Sequence, residues 1–120
     1  MHVLRIARPW QTFSLEESKA ERLAQADASA FLALTRERLV RVYPKGTRVA
    51  SDNLDPVPYW VLGVQLAALN SQTRALETDL NDALFHDNGG VGYVLKPDIL
   101  LDRMQVTVST TIVYGLYSPY

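Results

Sequence analysis

The order of its segments predicts an α/β fold built on a parallel sheet, and three observations carry that prediction. Stretches with helical spacing alternate with short apolar stretches along most of the chain, the pattern of successive βα units. Val64-Gln65-Leu66-Ala67-Ala68-Leu69-Asn70 is a nearly continuous apolar run of strand length, suited to a strand buried on both faces beneath helices. Turn residues punctuate the alternation, with Pro44 and Gly46, Pro56 and Pro58, and Asn88 with Gly89 and Gly90 falling between the periodic stretches.

Taken in order, Val3 to Ile6 reads as a short strand ended by Arg8-Pro9. Ser14 followed by Glu17 has the form of a capping box, the serine hydroxyl accepting from the amide three residues on, so a helix is expected to start there. Ala20, Leu23, Ala24 and Ala28 recur at helical spacing. Phe31, Leu34, Thr35 and Leu39 do so again, with Arg36, Glu37 and Arg38 largely outward. Asp27 or Ser29 is placed to cap the second set, giving two short helices. Leu39 to Tyr43 is the next strand, and residues 51–58 are loop. Pro58 to Gly63 is one helical turn opened by proline and closed by glycine. After the Val64–Asn70 strand, Thr78 or Asp79 caps a helix carrying Leu80, Leu84 and Phe85, and Gly92 to Lys96 is a further strand stopped by Pro97.

Three or four strands with helices outside leave two open sheet edges. Closure into a (β/α)₈ barrel takes eight strands and roughly 250 residues, so this chain of 120 reads as half of such a unit. From Met104 the character changes: Val106, Val108, Thr110, Ile112 and Tyr114 alternate with their neighbours as in an antiparallel strand with one wet face. The expected division is residues 1–101 as the half-barrel and residues 102–120 as linker and truncated start of a β domain.

Composition excludes several classes of function. Lys and Arg number 12 against 13 acids, so no basic field exists to hold nucleic acid, although a local basic cluster of Arg41, Lys45 and Arg48 survives that average. The absence of cysteine removes disulfide scaffolds, cysteine nucleophiles and Cys-based zinc sites together, and fits a cytoplasmic protein. The N-terminal residues are too broken by arginine and proline to form a signal-peptide core. No apolar run approaches the ~20 residues needed to cross a bilayer, which leaves peripheral contact as the only membrane option.

The most informative stretch is Arg41-Val42-Tyr43-Pro44-Lys45-Gly46-Thr47-Arg48. Positions two apart in a strand share a face, so Arg41 and Tyr43 project together just before a Pro-x-Gly turn. A guanidinium binds phosphate through a rigid fork of donors, and a phenol ring offers a flat apolar wall to a sugar or inositol, so the pair suits a phosphorylated ring. An exposed Arg and Tyr on a strand is also a common surface pattern. His2 and His86 have no second ligand at metal spacing. Glu77, Asp79 and Asp82 fit the solvated first turn of a helix. Gly89-Gly90-Val91-Gly92 follows a helix and precedes a strand, the reverse of the order a phosphate-binding glycine loop requires. No catalytic constellation can be assembled from these residues.

Residues 14–97 resemble the Y region of the eukaryotic phosphoinositide-specific phospholipase C family, the C-terminal half of its catalytic barrel. The resemblance rests on Ser14 with Glu17-Ser18-Lys19-Ala20, on Arg41 to Arg48, and on Ser51-Asp52-Asn53 with the following proline and Trp60. It continues through Gln65 to Asn70 with Gln72-Thr73, and through Asn88-Gly89-Gly90 with Gly92 to Pro97. It implies a TIM-like (β/α)₈ barrel split into X and Y halves and followed by a C2-like β-sandwich, whose truncated first strand would be the alternating tail. It also implies calcium-dependent hydrolysis of phosphatidylinositol 4,5-bisphosphate to diacylglycerol and inositol trisphosphate in intracellular signalling. The acid–base histidines and calcium ligands are expected in the X half, so no catalytic or metal-binding residue is expected here. By position, Ser14 and Arg41 would meet ring phosphates of the lipid head group and Tyr43 would pack on the inositol ring. The partners implied are the X half, the C2 domain and a membrane surface met peripherally from the cytoplasm. Family members that keep the barrel but lack catalytic residues supply the alternative, a phosphoinositide-binding scaffold. Asp52, Ser71 and Val91 depart from the usual serine, aromatic and cysteine, and Thr47 stands where some members carry a membrane-inserting tryptophan.

Overall fold

A computed structural model describes residues 11–101. Three parallel strands, β1 (Phe13–Glu16), β2 (Val40–Tyr43) and β3 (Leu66–Ala67), lie in sequence order across one sheet. Helices α1 (Glu17–Ala26) and α2 (Ala28–Glu37) connect β1 to β2, and the single turn α3 (Val57–Val61) precedes β3. Helices α4 (Leu76–His86) and α5 (Asp98–Leu101) follow. The α/β class expected from the sequence is what these residues adopt. Among them no helix is long and apolar enough to cross a membrane.

Alternation along the strands divides the sheet into two unlike faces. Leu15, Val40 and Val42 point into a core closed by Ala20 of α1, Phe31 and Leu34 of α2, and Leu54, Tyr59 and Val64. Ser14, Glu16, Arg41, Tyr43 and Leu66 alternate with them and fall on the opposite face. Asp27 separates the two helices as anticipated: its carboxylate accepts from the Ala30 amide at 2.9 Å. At α4 the expected cap by Thr78 or Asp79 is displaced: the helix begins at Leu76 with Ala75 at its N-cap, and Thr78 sits inside the first turn, where its hydroxyl accepts the Ala75 amide at 2.9 Å. Pro58 lies within the first turn of α3, and Gly63 closes it at φ 74°. A Cβ there would fall 2.7 Å from Thr35 Oγ1, so only glycine fits.

Four further expectations fail, each for a physical reason. The proposed capping box does not form, because Ser14 is paired within β1 and α1 begins only at Glu17, without any side-chain cap. Leu39, expected on the apolar stripe of the second helix and as the first residue of the strand, lies between α2 and β2, is 53% exposed and contributes its carbonyl, which accepts from the Phe13 amide at 2.9 Å. The Val64–Asn70 run gives only a two-residue strand, with Leu66 46% exposed; β3 pairs with β2 alone among the described residues and is not buried on both faces. Residues 92–97 form no strand. Gly92 sits at φ 82°, Lys96 Nζ donates to the Thr35 carbonyl at 2.8 Å and Arg36 donates to Leu100 O at 2.7 Å, so the segment is drawn to the end of α2 and away from the edge of β3. The expected strands at Val3–Ile6 and beyond Met104 lie outside the described residues.

Candidate functional site

The site grows out of the register between β1 and β2. Ser14 stands opposite Arg41, and Glu16 opposite Tyr43, on the face the helices do not cover. Arg41 Nη1 donates to Ser14 Oγ at 3.1 Å, and the guanidinium carbon lies 5.0 Å from the centroid of the Tyr43 ring. That separation is within the range of a cation–π contact. Arg41 is exposed and has no carboxylate partner among the described residues. The three residues singled out from sequence are therefore brought together, in one cluster of a hydroxyl, an unneutralised cation and an aromatic wall. Leu66 continues the same row onto β3.

The third cation of the expected basic cluster is not available. Arg48 donates from Nε and Nη2 to the two oxygens of Glu17, both at 2.7 Å, and from Nη1 to Asp52 at 2.6 Å. Glu17 is only 3% exposed and also accepts the Lys45 amide at 2.8 Å. The hydrogen bond from Arg48, together with that amide, holds the Glu17 carboxyl below the usual carboxylate range against the opposing effect of burial. The same pairing pushes the Arg48 guanidinium further up. Among the described residues, Lys45 and Arg41 are left as the cations without a carboxylate partner at this end of β2.

Two amide side chains complete the frame. Buried Asn53 donates to the Asn70 carbonyl at 3.0 Å and accepts the Asn70 amide at 2.6 Å, mimicking one rung of backbone ladder and tying the loop to the end of β3. Gln65 accepts the Val40 amide at 3.0 Å and donates to the carbonyls of Thr35 and Arg38 at 2.5 and 3.0 Å, which fixes where β2 begins. Sequence reasoning assigned no role to Glu17 with Arg48, to Asn53 or to Gln65. Their partners lie 17 to 31 residues away, so no local pattern marks them.

Two open grooves lie elsewhere on the described residues, and neither is lined by Ser14, Arg41 or Tyr43. One of about 410 Å³ lies beyond β3 beside Asn70, Arg74 and Asp82, where Arg74 donates to Asp79 on the solvated start of α4. The other, of about 380 Å³, lies between α1 and α3. In it the Tyr59 hydroxyl donates to Glu21 at 3.3 Å and is pushed above the ordinary phenol range by burial first, then by the Glu21 charge. His86 is exposed at the end of α4, and among the described residues no three His, Cys, Asp or Glu gather there as a metal-holding group.

Residues 3–99 match the family model of the phosphatidylinositol-specific phospholipase C Y domain. The chain belongs to this family. Over 92 residues this Y domain is 48% identical to a 1-phosphatidylinositol 4,5-bisphosphate phosphodiesterase of Dictyostelium discoideum, covering 77% of the chain and 12% of that protein. The zeta-1 phosphodiesterase of Rattus norvegicus is likewise 48% identical over 92 residues, which is 14% of its length. Among solved structures, the S. officinalis PLC21 crystal structure superposes with a TM-score of 0.75 at 35% identity, covering 78% of this chain and 12% of that one. The Y domain thus spans a small part, about an eighth, of these relatives' length.

Proposed function

We propose that this Y domain supplies head-group recognition to a phosphoinositide phospholipase C that hydrolyses phosphatidylinositol 4,5-bisphosphate to diacylglycerol and inositol 1,4,5-trisphosphate. The observation that carries the reading is Arg41, a cation without a carboxylate partner among the described residues, held between the Ser14 hydroxyl and the Tyr43 ring on an uncovered sheet face. A guanidinium so placed keeps donors free for a phosphate, the serine hydroxyl adds one more contact, and the ring gives the inositol carbons an apolar surface. In this reading the three strands are part of a (β/α)₈ barrel whose remaining staves lie in an X half. The trio then faces the barrel mouth near the C-terminal ends of the strands, where the active sites of such barrels sit. Residues 102–120 would begin a C2-like domain, and the assembled protein would meet the cytoplasmic membrane surface peripherally.

Calcium, which the family resemblance implies, finds no fit in this domain. Among the described residues no three His, Cys, Asp or Glu gather as a metal-holding group, and Glu17 and Asp52 are both engaged by Arg48. Its ligands, like the acid–base histidines, belong to the X half in this proposal.

The test is a chimaera in which this domain replaces the matching 92 residues of the Dictyostelium discoideum relative. Arg41→Ala removes one charged hydrogen-bonding partner, worth about 1.5–3 kcal/mol, so turnover of the bisphosphorylated lipid should fall by at least about tenfold. Turnover of unphosphorylated phosphatidylinositol should fall far less. Equal losses on the two lipids would remove Arg41 from the ring phosphates.

A further inference from the structure

We infer that the Glu17–Arg48 ion pair is a positioning device: it holds the loop after Tyr43 against the start of α1 and thereby presents that loop to whatever Arg41 binds. The inference rests on the head-group reading above and goes beyond it, because both residues line the groove between α1 and α3, which none of Ser14, Arg41 and Tyr43 lines.

The loop from Pro44 to Asp52 contains no helix or strand, only turn hydrogen bonds of its own such as Arg48 N to Lys45 O at 3.1 Å and Ser51 N to Arg48 O at 3.3 Å. Its one large aliphatic side chain, Val49, is 92% exposed, so no apolar anchor ties it to the core. What ties it down is Glu17. That carboxylate grips the loop at two points three residues apart, the Lys45 amide at 2.8 Å and the Arg48 guanidinium through two bonds at 2.7 Å. Asp52 holds the same guanidinium from the far end of the loop. Glu17 begins α1 directly after β1, and Lys45 lies two residues beyond β2, so the pair joins the C-terminal ends of the two strands that carry Ser14 and Arg41.

Its chemistry suits placement better than stabilisation. Burying an ion pair brings little net stability over an apolar pair of the same shape, because desolvation opposes the Coulombic gain. The planar fork of Arg48 on both carboxylate oxygens instead fixes an orientation, which a lysine on a flexible stem would not do. One consequence is that the Lys45 ammonium is carried on a backbone pinned beside the site.

The measurement has two arms. In the 120-residue chain, amide hydrogen exchange at Lys45 to Ser51 should accelerate at least tenfold in Arg48→Gln and Glu17→Gln, with exchange in β1 and β2 unchanged. Glu17→Gln keeps one oxygen as acceptor for the Lys45 amide but loses the charge and, with an NH2 in place of the second oxygen, one of the two acceptors of Arg48. In the chimaera, the same variants should raise KM for the bisphosphorylated lipid about tenfold with kcat within about twofold, a displacement effect of the size small misplacements produce. Arg48→Lys, which keeps charge without the fork, should fall between. Unchanged exchange in the loop would show that the pair does not hold it. Released exchange with KM unmoved, or with kcat falling as much as kcat/KM, would show that the loop's position does not serve the ligand. A wild-type chimaera without activity would instead overturn the head-group reading, while the exchange arm still decides what the pair does to the loop.

Discussion

Tyr43 offers two different groups to a ligand, a ring and a hydroxyl, and the structure separates their consequences. The ring is half-buried, lies 5.0 Å from the Arg41 guanidinium and orients it, whereas among the described residues no hydrogen bond from the Tyr43 hydroxyl accompanies that contact. Tyr43→Phe keeps the quadrupole that faces the cation and keeps the flat wall. Tyr43→Leu removes both. A cation–π contact at an exposed site is worth about 0.5–1 kcal/mol, and more once a ligand excludes water, so losing it costs roughly two- to tenfold. In the chimaera, Tyr43→Phe should therefore retain kcat/KM for the bisphosphorylated lipid within about twofold, while Tyr43→Leu loses between about five- and thirtyfold once the ring's apolar contact is included. Circular dichroism on both variants would check that the sheet is intact. If Phe loses as much as Leu, the hydroxyl is the working group and the aromatic-wall reasoning is wrong.

Further outcomes follow from the frame around the site. Gly63→Ala forces a side chain into the left-handed region at φ 74° and against Thr35 Oγ1, so it should cost about 2–3 kcal/mol in urea unfolding. Combining it with Thr35→Ala should recover part of that loss, and strict additivity would contradict the clash. Gln65→Leu strands the Val40 amide and the Arg38 carbonyl and should cost about 2–4 kcal/mol, read as a lowered urea midpoint with an unchanged slope. Glu17 has its folded pKa below the ordinary value of 4.5, so its stabilisation is fully present above that pH and is lost as pH falls through the lower folded value. The stability gap between wild type and Glu17→Gln should thus be constant from pH 7 to 5 and shrink at pH 3.5. A gap that widens on acidification would mean that the Glu17 carboxyl gains its partner only when protonated.

What could be read in advance was whatever repeats at short range. The alternation in Val40-Arg41-Val42-Tyr43 and the helical spacing of Phe31, Leu34 and Thr35 are local consequences of backbone geometry, and both appear as expected. Asp27 capping α2 and the positive φ of Gly89 and Gly90 after α4 are likewise local. Ser14 with Glu17 shows where locality misleads. The spacing fits a capping box, yet the serine is held in the sheet and the glutamate is claimed by an arginine 31 residues on. Residues 92–97 mislead for a related reason: their apolar content is compatible with a strand, but a strand requires a neighbour, and the bonds of Lys96 and Arg36 lead the chain to α2. The Arg41–Tyr43 pair was legible because two-residue periodicity alone sets it; the frame of Glu17, Asn53 and Gln65 was not, because each acts between segments far apart in sequence.

The two faces of the sheet divide the labour of the domain, and the division is testable in principle at every strand position. Val42 and Arg41 are adjacent, but the first is fully buried among the residues closed by α1 and α2 while the second stands exposed beside Ser14. Truncating Val42 removes apolar surface from a packed core and acts on stability. Truncating Arg41 leaves the core untouched, because its only described partners are a hydroxyl at 3.1 Å and a ring at 5.0 Å. A cation kept on a sheet face with no carboxylate partner among the described residues contributes little to folding that alanine could not, so the reason for its presence must be sought in an anion that those residues do not supply.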